Sequence, residues 1–244
     1  DIPGDKSISH RAIIIGSLAN NTSVFANFLF SEDCVHSMKI FQNLGVEIKA
    51  DVENKSVEIH GLGLFGFKAP NCELYVGNSG TSIRLISGVL VGQPFVSEIT
   101  GDASICSRPM KRIVEPLKEF GADIFGREEK ENLYPPLIIK GKSELQAIEY
   151  KLPVASAQVK SAILFAALYC KAPTIIHEPV ICRDHTEKML GFYGADIKTR
   201  DGKIFYLSAH KTDPYAKTFY QDIVYNDEVI GMVQIASTSD YIKL

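Results

Sequence analysis

Gly45-Val46-Glu47-Ile48, Gly121-Ala122-Asp123-Ile124 and Gly194-Ala195-Asp196-Ile197 are one signal written three times, recurring about every 75 residues. Each glycine closes a segment of helical character: Asp33 to Leu44, Pro109 to Phe120, and Asp184 to Tyr193. Glycine just past a last turn is the expected C-cap, because it enters the left-handed region without a Cβ penalty. Asp33 and Asp184 are expected N-caps, and Pro109 suits a first helical turn. After each glycine the sequence predicts strand, turn and strand. The second strands are Ser56 to His60, Pro136 to Lys140 and Lys203 to Leu207, the last reached through a turn at Asp201-Gly202.

Working outward toward the N-terminus, each unit begins with an apolar segment and a further strand. The apolar segments are Ser7 to Leu18, Thr81 to Leu90 and Val159 to Tyr169; the strands are Ser23 to Leu29, Phe95 to Thr100 and Thr174 to Glu178. Runs such as Ala162-Ile163-Leu164-Phe165-Ala166-Ala167-Leu168 are apolar all round and predict buried helices. The unit is therefore helix–strand–helix–strand–strand, repeated over residues 1–210 with divisions near 1–70, 71–145 and 146–210. The expected fold is α/β: a pseudo-threefold domain with three roughly parallel helices inside and small sheets outside. Residues 211–244 break the pattern. Strands are expected there at 222–225 and 229–235, without a place in the repeat.

Parallel central helices would gather their N-termini at one end, and those three mouths share a design. Each carries a small hydroxyl residue and, about one turn on, a positive charge. They read Lys6-Ser7-Ile8-Ser9-His10-Arg11, Asn78-Ser79-Gly80-Thr81-Ser82-Ile83-Arg84 and Ser156-Ala157-Gln158-Val159-Lys160. Unpaired N–H groups, the positive dipole end, a hydroxyl and a cation together make an anion site. Gly4, Gly77 and Gly80 let a ligand approach the backbone. Gln158 can hydrogen-bond substrate hydroxyls. Arg108 and Arg183, each just ahead of a second helix, add further candidate anion contacts, with a surface salt bridge as the competing reading.

Composition narrows the function classes. The 244 residues are 45% hydrophobic and 23% charged with a net charge of −3, ordinary for a soluble globular protein and unlike a general nucleic-acid binder. The five cysteines, Cys34, Cys72, Cys106, Cys170 and Cys182, are scattered without metal-ligand spacing, which fits buried thiols in a reducing, cytoplasmic setting. His10, His36, His60, His177 and His210 also lack such spacing, and His185 reads as a helix-surface residue. No run reaches transmembrane length and no leader is visible. Starting at Asp1 directly before a functional motif, the chain reads as trimmed. P-loop spacing, GxGxxG and a Ser-His-Asp signature are absent.

Five motifs in order carry a resemblance. These are residues 3–11, Gly77 to Arg84, Gly101-Asp102 through Arg108-Pro109-Met110, Ala155 to Ser161, and Arg183-Asp184-His185-Thr186-Glu187. Together they are similar to the bacterial 5-enolpyruvylshikimate-3-phosphate synthase family over about residues 1–210. The resemblance implies transfer of the enolpyruvyl group of phosphoenolpyruvate to the 5-hydroxyl of shikimate 3-phosphate, with release of phosphate and no metal or organic cofactor. It implies that Lys6 is catalytic and touches both substrates. Ser7, Arg11, Ser156, Gln158 and residue 182 would hold shikimate 3-phosphate, while Asn78, Gly80, Thr81 and Arg108 would lie at phosphoenolpyruvate. Arg84 would be structural or substrate-orienting. Residue 182 is Cys182 where the family usually has serine, so a weaker donor faces the substrate phosphate. Gly80 stands where glyphosate-tolerant members carry alanine, so the complete enzyme is expected to be glyphosate-sensitive.

The resemblance also implies a second domain that supplies a general-base aspartate, a lysine and further arginines in D-E-L-P-, K-E-T-D-R- and G-D-H-R-like motifs. None of these occurs in residues 1–244. The expectation is a domain that binds substrate weakly and does not turn over alone. The full-length form would be a monomer in the cytoplasm with no nucleic-acid or membrane partner. Two alternatives remain: the related UDP-sugar enolpyruvyl transferase, whose G-x-K-N motif and reactive cysteine loop are missing, and a non-catalytic binding domain on the same fold.

Overall fold

The computed structural model describes residues 3–200, 203–207, 219–225 and 228–236. The first unit comprises α1 (Lys6–Leu18), β1 (Thr22–Phe25), α2 (Glu32–Asn43), β2 (Glu47–Asp51) and β3 (Ser56–His60). The second comprises β4 (Leu74–Tyr75), α3 (Gly80–Leu90), β5 (Val96–Thr100), α4 (Ala103–Cys106), α5 (Lys111–Glu119), β6 (Asp123–Glu129) and β7 (Asn132–Lys140). The third comprises β8 (Glu149–Lys151), α6 (Ala157–Ala167), β9 (Thr174–His177), α7 (His185–Phe192), β10 (Asp196–Arg200) and β11 (Lys203–Leu207). Two more strands follow, β12 (Phe219–Tyr225) and β13 (Glu228–Ala236).

The repeated glycines do the same conformational work. Gly45, Gly121 and Gly194 have φ of 95°, 92° and 91°, where a side chain would be strained. Each turns the chain from a helix into an outer hairpin. The apolar helices form the centre. Every residue of α1 from Ile8 to Leu18 is buried, as is every residue of α6 from Val159 to Ala167. Helices α3 and α6 pack so closely that a Cβ on Gly88 would sit 2.2 Å from the Ala162 carbonyl oxygen.

The sheets lie around this centre in the orders β12-β13-β1-β3-β2, β4-β5-β7-β6 and β8-β9-β11-β10. In each, the strand after the central helix runs antiparallel to the last strand of its unit. Strands β4 and β8 are too short to announce themselves in the sequence, and they pair in parallel with β5 and β9. The corresponding edge of β1 instead carries β13, antiparallel, with Val24 opposite Ala236 and Phe25 opposite Ile235. Strands β12 and β13, which had no place in the repeat, thus extend the first sheet.

Two local expectations are corrected. The N-cap position of α2 belongs to Ser31, and Asp33 lies inside the first turn. Pro109 precedes α5, whose N-cap position is Met110. Between Asp102 and Arg108 the chain also forms the short helix α4, capped by Asp102 accepting from the Ile105 N–H at 2.9 Å. The turn at Asp201-Gly202 and His210 lie outside the described residues. Among the described residues no helix is long and apolar enough to cross a membrane.

Candidate anion-binding site at the helix mouths

Hydrogen bonds join the first turns of the three central helices in a circuit. From α1, His10 Nδ1 meets Ser37 Oγ of α2 at 2.9 Å, and Ser37 Oγ meets Ser82 Oγ of α3 at 2.8 Å. From α3, Arg84 Nη1 donates to Gln158 Oε1 of α6 at 2.9 Å, and Gln158 Nε2 donates back to Thr81 Oγ1 at 3.0 Å. These partners fix the amide orientation, since a guanidinium can only donate. Arg11 closes the circuit by donating through Nη2 to Ser161 Oγ of α6 at 2.8 Å and through Nε to Thr186 Oγ1 of α7 at 2.6 Å. The mouths of α1, α3 and α6 therefore lie together at one end of the core.

The helix starts follow sequence rules. Asp5, Ser79 and Ser156 occupy the N-cap positions of α1, α3 and α6, and their side chains accept from the N–H groups of Ile8, Ser82 and Val159. The caps leave other first-turn N–H groups for a ligand.

The cations at the mouths differ in availability. Lys6 is half exposed and its ammonium lies 2.7 Å from Asp33 Oδ2, a hydrogen bond that raises its pKa. Arg11 is only 4% exposed, and its Nη1 also donates to the Ser7 carbonyl at 2.8 Å. Burial brings its pKa down to about 10, against the pull of Glu187 and with Arg183 adding to the fall, so it stays charged at neutral pH. Arg84 also has a lowered pKa, from burial first and then from Arg108 and Arg112. Arg108 Nη2 donates to Asn78 Oδ1 at 2.5 Å and to Ser104 Oγ at 3.1 Å. Arg183 is exposed. Gly80 lies between guanidiniums: a Cβ there would meet Arg84 Nη1 at 2.7 Å and Arg108 Nη1 at 3.0 Å.

Lys160 overturns the third hydroxyl-plus-cation reading. It is 1% exposed and faces inward, 2.6 Å from Glu187 Oε1 and 2.9 Å from Glu178 Oε1. Burial alone would lower its pKa, but the two glutamates outweigh it and leave the pKa above the ordinary value. The third mouth thus offers Ser156 and Gln158 without a free cation. Cys182 lies on the segment that Glu178 and Glu187 bracket. Its N–H donates to Glu178 Oε1 at 3.2 Å, its thiol donates to the Val180 carbonyl at 3.7 Å, and burial raises its pKa. His185 is 5% exposed, not a surface residue, and burial lowers its pKa to about 4.

Sequence reasoning missed the partners: Asp33 for Lys6, Ser161 and Thr186 for Arg11, and Ser37 between α1 and α3. No local signal could have found them, because each partner comes from a different helix. Ser161 and Thr186 were visible only as members of their motifs.

A family model described as EPSP synthase (3-phosphoshikimate 1-carboxyvinyltransferase) matches residues 1–221. The 3-phosphoshikimate 1-carboxyvinyltransferase of Streptococcus sanguinis (strain SK36) is 50% identical over 203 residues, covering 83% of this chain and 47% of the relative. That of Bacillus thuringiensis subsp. konkukian (strain 97-27) is 51% identical over 202 residues, covering 83% and 46%. Among solved structures, an EPSP synthase from Acinetobacter baumannii superposes with a TM-score of 0.82 at 48% identity, covering 86% of this chain and 46% of that one. The chain spans about half the length of the curated relatives it matches.

Proposed function

The chain belongs to the EPSP synthase family, and from that premise we propose that residues 1–210 are the shikimate-3-phosphate-binding domain of a 3-phosphoshikimate 1-carboxyvinyltransferase. The complete enzyme moves the enolpyruvyl group of phosphoenolpyruvate onto the 5-hydroxyl of shikimate 3-phosphate and releases phosphate. The observation that carries this reading is the hydrogen-bonded circuit that unites three capped helix mouths with Lys6, Arg84 and Arg108 around them.

In this reading Ser7, Arg11, Ser156, Gln158 and Cys182 hold shikimate 3-phosphate. Asn78, Gly80, Thr81 and Arg108 hold phosphoenolpyruvate, and Lys6 reaches both. Helix N-termini and guanidiniums suit a phosphate and a carboxylate, because preformed N–H donors meet the charge without reorganising. Arg108 is a fork for one of these anions. Lys6 leaves Asp33 for the substrates, which is open to it because its side chain is half exposed. Gln158 spans the two subsites through Arg84 and Thr81, so occupation of one is felt at the other.

Formation and collapse of a tetrahedral adduct need proton transfers. Residues 1–210 supply binding and charge stabilisation for that chemistry, and the general base belongs to the other half of the enzyme. The test is a phosphate-release assay on the 244-residue chain with both substrates, paired with thermal shifts. Shikimate 3-phosphate is expected to raise the melting temperature, a UDP-sugar is not, and phosphate release is expected at background. Stabilisation by the UDP-sugar, or sustained phosphate release, contradicts the reading.

A further inference from the structure

The loop that carries Arg108 is tied to the loop that carries Asn78 through one carboxylate. Asp102 Oδ1 accepts the Ile105 N–H at 2.9 Å and so caps α4. Asp102 Oδ2 accepts from Asn78 Nδ2 at 3.0 Å. The Asp102 N–H itself donates to the Gly77 carbonyl at 2.9 Å, laying the two loops edge to edge. With its nitrogen turned to Asp102, Asn78 has only its carbonyl oxygen left for Arg108, and that oxygen accepts from Arg108 Nη2.

We propose that Asp102 is a positioning residue: by accepting from Asn78 it fixes the polarity of that amide, and through the Asn78 carbonyl it holds the Arg108 guanidinium aimed at the anion site. An amide has one accepting and one donating end. Asp102 offers only acceptors, so it selects one of the two amide orientations, and the selected one is complementary to a guanidinium. The inverted orientation would set an N–H₂ against Arg108, donor against donor. Ser104 Oγ, 3.1 Å from the same Nη2, is a second acceptor for the guanidinium but has no preference for the state of Asn78. The assignment of the anion to phosphoenolpyruvate rests on the proposed function; the positioning of Arg108 does not.

Two substitutions separate positioning from capping and from charge. Asp102→Asn keeps an oxygen for the Ile105 N–H but turns a donor toward Asn78. Asp102→Ser keeps the cap and releases Asn78 without inverting it. Both variants are expected to fold, with melting temperatures near that of the parent chain. Removing the negative charge would by itself strengthen anion binding, so a loss of affinity points to geometry. In the 244-residue chain, phosphoenolpyruvate titration is expected to show about tenfold weaker binding for Asp102→Asn and a smaller loss for Asp102→Ser, the scale of one charge-assisted hydrogen bond. Without ligand, the Asn78 side-chain amide and Arg108 guanidinium NMR resonances are expected to shift in Asp102→Asn. Unchanged resonances, or affinity equal to or better than the parent's in Asp102→Asn, overturn the proposal. If the parent chain does not bind phosphoenolpyruvate, the assignment of the anion fails, and the ligand-free resonances alone decide whether Asp102 positions Arg108.

Discussion

At Gly80 a single added carbon would press on two guanidiniums of the site. A methyl group there would lie 2.7 Å from Arg84 Nη1 and 3.0 Å from Arg108 Nη1, and both are ends of long side chains that can move. Gly80→Ala should therefore fold normally, while weakening phosphoenolpyruvate binding about tenfold through the displaced guanidiniums; calorimetric titration checks this. His10 offers a second single-residue test. It is fully buried, its Nδ1 meets Ser37, and its Nε2 has no partner among the described residues. Burial lowers its pKa to about 4, opposed by Asp33 and aided by Arg11 and Lys6. The unfolded chain then binds the extra proton between that value and the ordinary histidine pKa of about 6.5. The stabilisation of neutral His10 is complete above pH 6.5 and is lost as the pH falls toward 4. Urea unfolding of the parent and His10→Gln should show a stability difference that moves in the variant's favour over that window. The cations themselves were legible in the sequence as residue types. Their partners were not: Lys160 looks like an anion-binding lysine until Glu178 and Glu187 arrive from β9's end and α7.

The elements were legible where the repeat spoke and silent where it did not. Three positive-φ glycines and three apolar runs located the helices to within a residue or two, because each obeys a local rule of capping or burial. The two- and three-residue strands β4 and β8 have no periodicity to detect, and their pairing is decided by neighbours distant in sequence. Likewise α4 exists because Asp102 caps it beside the Gly77–Asn78 loop. Two predictions belong here. Lys160 joins α6 to α7 and to the segment after β9, so Lys160→Ala would leave two carboxylates buried without a counter-ion. A loss of about 3–5 kcal/mol is expected from denaturant unfolding, the scale for breaking a buried ion pair. Deleting residues 219–236 would uncover the β1 edge that β13 occupies, and open edges pair with other chains. Sedimentation should then show more self-association than in the parent chain.

On the scale of the whole molecule, one construction is used three times and then differentiated. Helix, cap and sheet repeat, but the side chains at the mouths diverge. The first carries Lys6 and Arg11, the second carries Gly80 flanked by Arg84 and Arg108, and the third has Ser156 and Gln158 with its lysine turned inward. The sequence could supply the repeat and the family motifs. It could not supply the circuit from His10 through Ser37, Ser82, Arg84 and Gln158 to Arg11, because that circuit crosses five helices. The proposed function rests on these mouths forming one site, in which the first and third hold shikimate 3-phosphate and the second adjoins them through Gln158. Its most direct test is amide NMR mapping of a shikimate 3-phosphate titration into this chain. Concerted shifts are expected, with a single binding curve, at Ser7, at Gly80 and Thr81, and at Ser156 to Gln158, leaving the outer strands β2, β6 and β10 unmoved. Shifts confined to one mouth, or following separate curves at the three, would contradict it.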